Sequence, residues 1–111
     1  MMIRRAVAEL RAQVGPDAWS ETTFNLEALG RVARDVGDWP LAGELAGEMR
    51  QHDPLYAGTH YAIARAAEAR GESAAAAVAY AEAVSGWKDA DADLPELSDA
   101  RRRLAALKQA R

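Results

Sequence analysis

Arginine and tyrosine are the residues of this chain whose types and spacing point to chemistry. Arg31 and Arg65 fall on each other when the chain is aligned with itself, and Tyr61 precedes the second of them by four positions. A guanidinium group binds a carboxylate through two parallel N–H donors, and a tyrosine ring adds a flat apolar contact. These residues could therefore bind a carboxylate-bearing group, with no covalent bond made or broken.

The sequence contains no recognisable catalytic or metal-binding motif. Serine, histidine and aspartate all occur, but no G-x-S-x-G nucleophile sequence is present, and the chain has no cysteine. His52 and His60 flank Asp53, yet no third ligand follows at a spacing typical of metal sites. We interpret both histidines as surface or packing residues, and we expect no enzyme activity, no metal and no cofactor.

Composition predicts an all-α fold in a single domain of residues 1–111. Alanine, the strongest helix former, supplies 27 of the 111 residues, and no run shows the clean alternation of a strand. Aromatic residues make up only 6%, so we expect a thin core built in layers.

Charge and hydropathy limit the class of partner. The net charge of −3 argues against a nucleic-acid-binding module, which would carry a basic stripe. No apolar run is long enough to span a membrane, and the start of the chain lacks an apolar segment of signal-peptide length. The compartment is not determined, and a soluble cytoplasmic location is the default expectation.

Apolar residues recur at steps of three and four, which predicts about six helices joined by short connections. Residues 1–15 form the first, and Gly37 ends the second because glycine suits the left-handed position past a helix. Asp38 is expected to cap the third. We expect Asp53 and Pro54 to begin the fourth, as an N-cap followed by proline at the first helical position.

The last two predicted helices follow Gly71, which ends the fourth. The sixth covers residues 93–110 and has one apolar face. Three arginines at 101–103 cannot all lie on that face, so we assign this charge run to the solvated side of the helix.

The chain contains an internal repeat, and the repeat resembles a known family. Gly37-Asp38 aligns with Gly71-Glu72, and the other matches are Leu29-Gly30 with Ile63-Ala64 and Ala42 with Ala76. A period of about 34 residues, with two helices per unit, resembles the tetratricopeptide repeat. The two copies would be residues 23–56 and 57–90.

The resemblance is looser in the first copy. The family's aromatic residue in the second helix is present as Tyr80, but its equivalent in the first copy is Ala46. The closing proline is present as Pro54, but its equivalent in the second copy is Lys88. The resemblance implies an α-solenoid of antiparallel helices, in which residues 93–110 cap the last repeat.

In this family the first helix of each unit lines a concave surface, which implies a binding site. The residues expected there are Phe24, Glu27, Arg31 and Arg34 from the first copy and Tyr61, Arg65 and Glu68 from the second. They would bind a partner protein or peptide, for which an acidic or C-terminal segment is one candidate. The other interpretation is that Glu27–Arg31 and Arg31–Asp35 are i,i+4 pairs that only decorate the helix.

The sequence leaves two main functions open. The first is a non-catalytic protein–protein interaction module that uses the concave surface. The second is a structural domain that forms a homodimer through residues 1–15 or an edge of the solenoid. In that case residues 1–15 would be half of an upstream repeat, and the domain would be the C-terminal end of a longer protein. An accessory domain of an enzyme is a third alternative.

Overall fold

The computed structural model describes residues 19–87 and 94–109, with side chains described from residue 24 onward. The helix predicted at 1–15 lies outside these residues. Within the described ranges every regular element is an α-helix and no strand occurs, which confirms the all-α prediction. The helices are α1 (Trp19–Asp35), α2 (Trp39–His52), α3 (Ala57–Ala69), α4 (Ser73–Gly86) and α5 (Pro95–Gln109).

Two glycine turns, at equivalent positions of the sequence repeat, have the same backbone geometry. Gly37 has a φ of 78° and Gly71 a φ of 79°, both in the left-handed region that costs glycine little. In each turn the next N–H donates back to a carbonyl of the preceding helix, a common way to end helices. The two equivalent bonds are Asp38 N–H to Ala33 O at 2.8 Å and Glu72 N–H to Ala67 O at 3.0 Å.

The predicted cap of α2 is confirmed. Asp38 Oδ1 accepts a hydrogen bond from Leu41 N–H at 3.2 Å, and Pro40 lies in the first turn, where its missing N–H costs nothing. The equivalent Glu72 makes no such bond before α4, and its carboxylate instead pairs with Arg70 at 3.1 Å.

The predicted start of the fourth helix at Asp53 is wrong. Asp53 ends α2, because its N–H donates to Met49 O at 2.7 Å, and Tyr56 is the N-cap residue of α3. A residue before proline is pushed out of the helical region, which stops α2 here. The Asp53 carbonyl then accepts the hydroxyl of buried Thr59 at 2.9 Å, so the backbone of Asp53 fixes the first turn of α3.

Two apolar clusters form the core, and α3 contributes to both. The first cluster joins α1, α2 and Ala62, and the second joins α3, α4 and α5 around the fully buried ring of Tyr80. Ile63 packs against both clusters. Each helix packs on the next one along the chain, so α3 lies at the centre and α5 at one end of the row.

Substitution of the glycine turns separates backbone strain from packing. A Cβ at Gly71 would meet no atom within 4 Å, so Gly71→Ala adds only the strain of a positive φ. We expect a loss of about 1 kcal/mol in the free energy of unfolding. Gly47 also has open space but lies inside α2, so Gly47→Ala should instead stabilise by about 0.5–1 kcal/mol. Urea titration followed by circular dichroism measures both, and equal effects would contradict the turn geometry.

Candidate functional site

The residues predicted to line a binding surface lie on two helices that contact each other directly. We call this surface the α1–α3 face. Its members are Phe24, Glu27, Arg31 and Arg34 on α1 and Tyr61, Arg65 and Glu68 on α3. The structure shows that α5 already contacts several of them, and this contact decides which side chains remain accessible.

Tyr61 lies at the centre of the α1–α3 face. Two guanidinium groups stand over its ring, that of Arg34 at 5.4 Å from the centroid and that of Arg65 at 5.9 Å. Both distances allow cation–π attraction. The Tyr61 hydroxyl donates to Asp99 Oδ2 of α5 at 2.6 Å and accepts from Arg65 at 3.1 Å. The guanidinium of Arg65 also lies 5.6 Å from the centroid of the Trp39 ring, so aromatic rings on α2 and α3 both stabilise its positive charge.

Asp99 of α5 is the anion at this end of the face. It accepts from Tyr61 and from Arg103 Nε at 2.8 Å, and Arg102 also donates to it. Burial raises the pKa of Asp99, but the hydrogen bonds from Tyr61, Arg103 and Arg102 outweigh burial and bring the pKa below 3.8. Asp99 is therefore ionised at neutral pH and balances Arg65, whose Nη1 lies 3.9 Å away.

Arg103 corrects the expectation that residues 101–103 all face solvent. Arg101 and Arg102 are exposed, but Arg103 is partly buried and donates to Glu68 Oε1 at 3.1 Å. It follows Asp99 by four positions, one helical turn, which places both on the side of α5 that meets α3. Glu68 also accepts the hydroxyl of Tyr80 at 2.6 Å, so this carboxylate links α3, α4 and α5.

Arg31 lies between two carboxylates at the other end of the face. Its Nε and Nη2 both donate to Glu96 Oε1 of α5, at 2.9 and 2.5 Å, and Nη2 stands 3.5 Å from Glu27 Oε1. Glu27 is only 7% exposed and accepts the hydroxyl of Tyr56 at 3.0 and 3.1 Å. Burial raises the pKa of Glu27 above 4.5, although Tyr56 and Arg31 partly offset this effect. The predicted Glu27–Arg31 pair exists, but it belongs to an interhelical network.

Two polar groups on the described part of this surface are left without a suitable partner. Glu96 Oε2 is buried and accepts no hydrogen bond. Arg34 contacts the ring of Tyr61 but pairs with no described carboxylate. Burial lowers the pKa of Arg34, and the nearby cation of Arg65 lowers it further, yet a guanidinium stays charged at neutral pH. Arg34 is thus a charged guanidinium without a carboxylate partner among the described residues.

Gly58 is a residue of this site that the sequence patterns did not indicate. A Cβ at this position would lie 2.2 Å from Glu27 Oε2 and 2.5 Å from Tyr56 Cε2. Only glycine therefore lets the carboxylate and the ring approach the first turn of α3 so closely. The available signal was a glycine in the first turn of a helix that is otherwise rich in alanine, because that choice weakens the helix.

The acidic residues of α5 were also missed as members of the site. Their signal was the sequence repeat extended by one more period, which places Asp99 at the position equivalent to Arg31 and Arg65. The third helix in this series therefore carries the opposite charge at the same register. Glu96, three positions earlier, lies on the same side of α5.

The histidines and acidic residues of the described ranges do not cluster as metal ligands. No group of three or more His, Asp or Glu among them is arranged to hold a metal ion, and His60 Nδ1 instead lies 2.8 Å from Glu82 Oε2. None of the described helices has both the length and the apolarity needed to cross a bilayer. The chain matches no protein-family model, no curated protein and no solved structure.

The pH dependence of stability tests the burial of Glu27. Because its pKa is raised in the folded state, the native protein binds this proton more tightly than the unfolded chain does. Protonated Glu27 therefore stabilises the fold below pH 4.5, and this stabilisation is lost as the pH rises through the raised pKa. We expect the free energy of unfolding of the wild type, relative to Glu27→Gln, to fall as the pH rises from 4.5 to neutrality.

Glu72 provides a control of opposite sign. The hydrogen bond from Arg70 lowers the pKa of Glu72 in the folded state. Ionised Glu72 therefore stabilises the fold above the pKa that it has in the unfolded chain, and this stabilisation is lost as the pH falls. Relative to Glu72→Gln, the wild type should therefore gain stability as the pH rises. Urea titrations at several pH values measure both differences, and a Glu27 difference that rises with pH would contradict its burial.

Proposed function

We propose that this chain is a non-catalytic protein-interaction module of the tetratricopeptide type, which binds an acidic segment of a partner protein on the α1–α3 face. Support for the family comes from the agreement of sequence and backbone. The sequence repeats at the family's period, and the turns at Gly37 and Gly71 repeat the same dihedral angles and hydrogen bonds. Two helix pairs, α1–α2 and α3–α4, then form an α-solenoid in which α5 caps the second pair.

Arg34 is the observation that carries the proposed function. It brings a charged guanidinium, half-buried against the ring of Tyr61, to a surface where no described carboxylate pairs with it. Arg31 lies one turn earlier on the same helix with its side chain 48% exposed. Phe24 is 61% exposed and offers an apolar contact beside Tyr56. Exposed arginine beside aromatic rings is the composition typical of binding hot spots.

The carboxylate preference follows from this geometry. Arg31 and Arg34 can donate together to one carboxylate, and charge-assisted hydrogen bonds of this kind are about twice as strong as neutral ones. A neutral segment would leave Arg34 without an anion, and a basic segment would place a second positive charge beside it. The α1–α3 face thus selects acidic partners by charge and by the apolar contact of Phe24.

Fluorescence anisotropy with a panel of short labelled peptides of equal length, acidic, neutral and basic, tests this function. We expect the acidic peptides to bind best and Arg34→Gln to weaken them about fivefold or more, because a hydrogen bond to a charged group is lost. Arg50→Gln is the matched control, since Arg50 is exposed on α2 outside the face. Binding that ignores peptide charge, or that Arg34→Gln leaves unchanged, would contradict the proposal.

A second candidate function is self-association at the edge formed by α4 and α5. A groove of about 470 Å³ lies there between small side chains of α4, Ala74, Ala77 and Val78, and the larger Leu104 and Leu107 of α5. Val78 is 61% exposed although it is apolar. Exposed apolar surface of this kind favours contact between copies.

Light scattering over a range of concentrations distinguishes this candidate. If the groove mediates assembly, the wild type should show a dimer mass that Val78→Lys converts to a monomer mass. Val36→Lys is the control, because Val36 is 59% exposed at the end of α1. A monomer at all concentrations would remove this candidate and leave the binding proposal intact.

A further inference from the structure

We infer that α5 occupies the α1–α3 face as an internal ligand, and that the partner is a helix with two carboxylates three residues apart around an apolar residue, which binds in place of the first half of α5. This inference rests on the proposed function and specifies the class of ligand. The carboxylates of the internal ligand are Glu96 and Asp99, and the apolar residue between them is Leu97, only 1% exposed.

Spacing of the two carboxylates matches the spacing of the cations. Residues three apart lie on one side of a helix, so Glu96 and Asp99 both face the row of arginines. Glu96 takes two N–H donors from Arg31, and Asp99 takes the hydroxyl of Tyr61 beside Arg65. A single helix that bears two carboxylates therefore spans the face from α1 to α3.

Charge balance points to the same occupant. The α1–α3 face alone carries three arginines and two glutamates. On the side of α5 that meets this face, Glu96 and Asp99 supply two carboxylates, which bond Arg31 and lie beside Arg65. Without them the face has one more positive than negative charge, and a second helix that presents two carboxylates at this spacing is the occupant that replaces them.

The internal ligand fits the face incompletely, which leaves room for a better one. Glu96 Oε2 is buried without a donor, and Arg34 has no described carboxylate partner. An unpaired buried acceptor is costly, and an unpaired cation is an unused binding group. A ligand whose first carboxylate accepts hydrogen bonds from both Arg31 and Arg34 would leave neither an unpaired acceptor nor an unpaired cation.

Packing indicates that α5 is the helix most easily displaced. Of its 15 residues only Leu97 and Ala100 are buried, whereas eight of the 13 residues of α3 are buried. Leu104 and Leu107 hold the second half of α5 against the second core cluster, whereas the remaining contacts of its first half are largely polar and reach solvent, since the side chain of Arg31 is 48% exposed. Elements with few buried apolar contacts open at the lowest cost.

The direct test is a competition between α5 of the intact chain and a free peptide of the same sequence. The protein is the full chain, and the probe is a fluorescein-labelled peptide with the sequence of residues 94–109. In the wild type the attached helix competes at high effective concentration, and Glu96→Gln with Asp99→Asn weakens this competitor. We expect the peptide to bind the double variant about tenfold more tightly than the wild type, and Arg101→Gln, on the exposed side of α5, to match the wild type.

A second probe tests the carboxylates themselves. The same peptide with both acids replaced by their amides should bind the double variant about tenfold more weakly than the unmodified peptide does, because the charge-assisted bonds to Arg31 are lost. Equal affinity of the unmodified peptide for wild type and double variant would overturn the inference. The proposed function would survive that result if Arg34→Gln still weakened the acidic panel peptides.

Hydrogen exchange on the wild type keeps the test decisive if the double variant does not fold. Saturation with the unmodified peptide of residues 94–109 should speed exchange of the α5 amides at least about tenfold while α2 stays protected. Binding with unchanged α5 exchange would place the peptide elsewhere and overturn the inference. A concentration-dependent dimer of the double variant without peptide binding would also overturn it, because the occupant would then be α5 of a second copy.

Discussion

Several guanidinium groups stand close together on α1 and α3, and the arrangement of the C-terminal half of the chain depends on the anions and rings that balance them. Like charges at this spacing repel, and partial burial strengthens the repulsion. This repulsion is offset by the ring faces of Tyr61 and Trp39 and by the carboxylates of α5. The position of α5 is therefore an electrostatic result as much as a packing one.

The core and the proposed binding site share side chains in this molecule. Tyr61 belongs to the second core cluster, yet its hydroxyl and ring organise Arg34, Arg65 and Asp99. A change at Tyr61 or Arg65 would alter the fold and any binding together. Arg34 differs because it serves no described carboxylate, so its charge can be removed with little effect on the interhelical network. That separation makes a binding role open to direct experiment.

Local features were predictable from the sequence, and long-range ones were not. The turns at Gly37 and Gly71 and the cap at Asp38 depend on neighbouring residues only, so their chemistry is visible in the sequence. The Asp53-Pro54 pair was misread because the same two residues suit both the end of one helix and the start of another. The bond from Arg31 to Glu96 joins positions 65 residues apart and exists only because α5 packs against α4. Helical periodicity carries no information about that packing.

The most direct measurement is an NMR titration that observes the arginine Nε–Hε groups of the full chain as an acidic helical peptide is added. These signals report the hydrogen bonding of each guanidinium separately. Binding at the α1–α3 face predicts saturable shifts for Arg34 and Arg31 with one dissociation constant, and no shift for Arg50 on α2. Shifts spread over all exposed arginines, or none at Arg34, would show that the face is only a structural ion-pair network and would contradict the account.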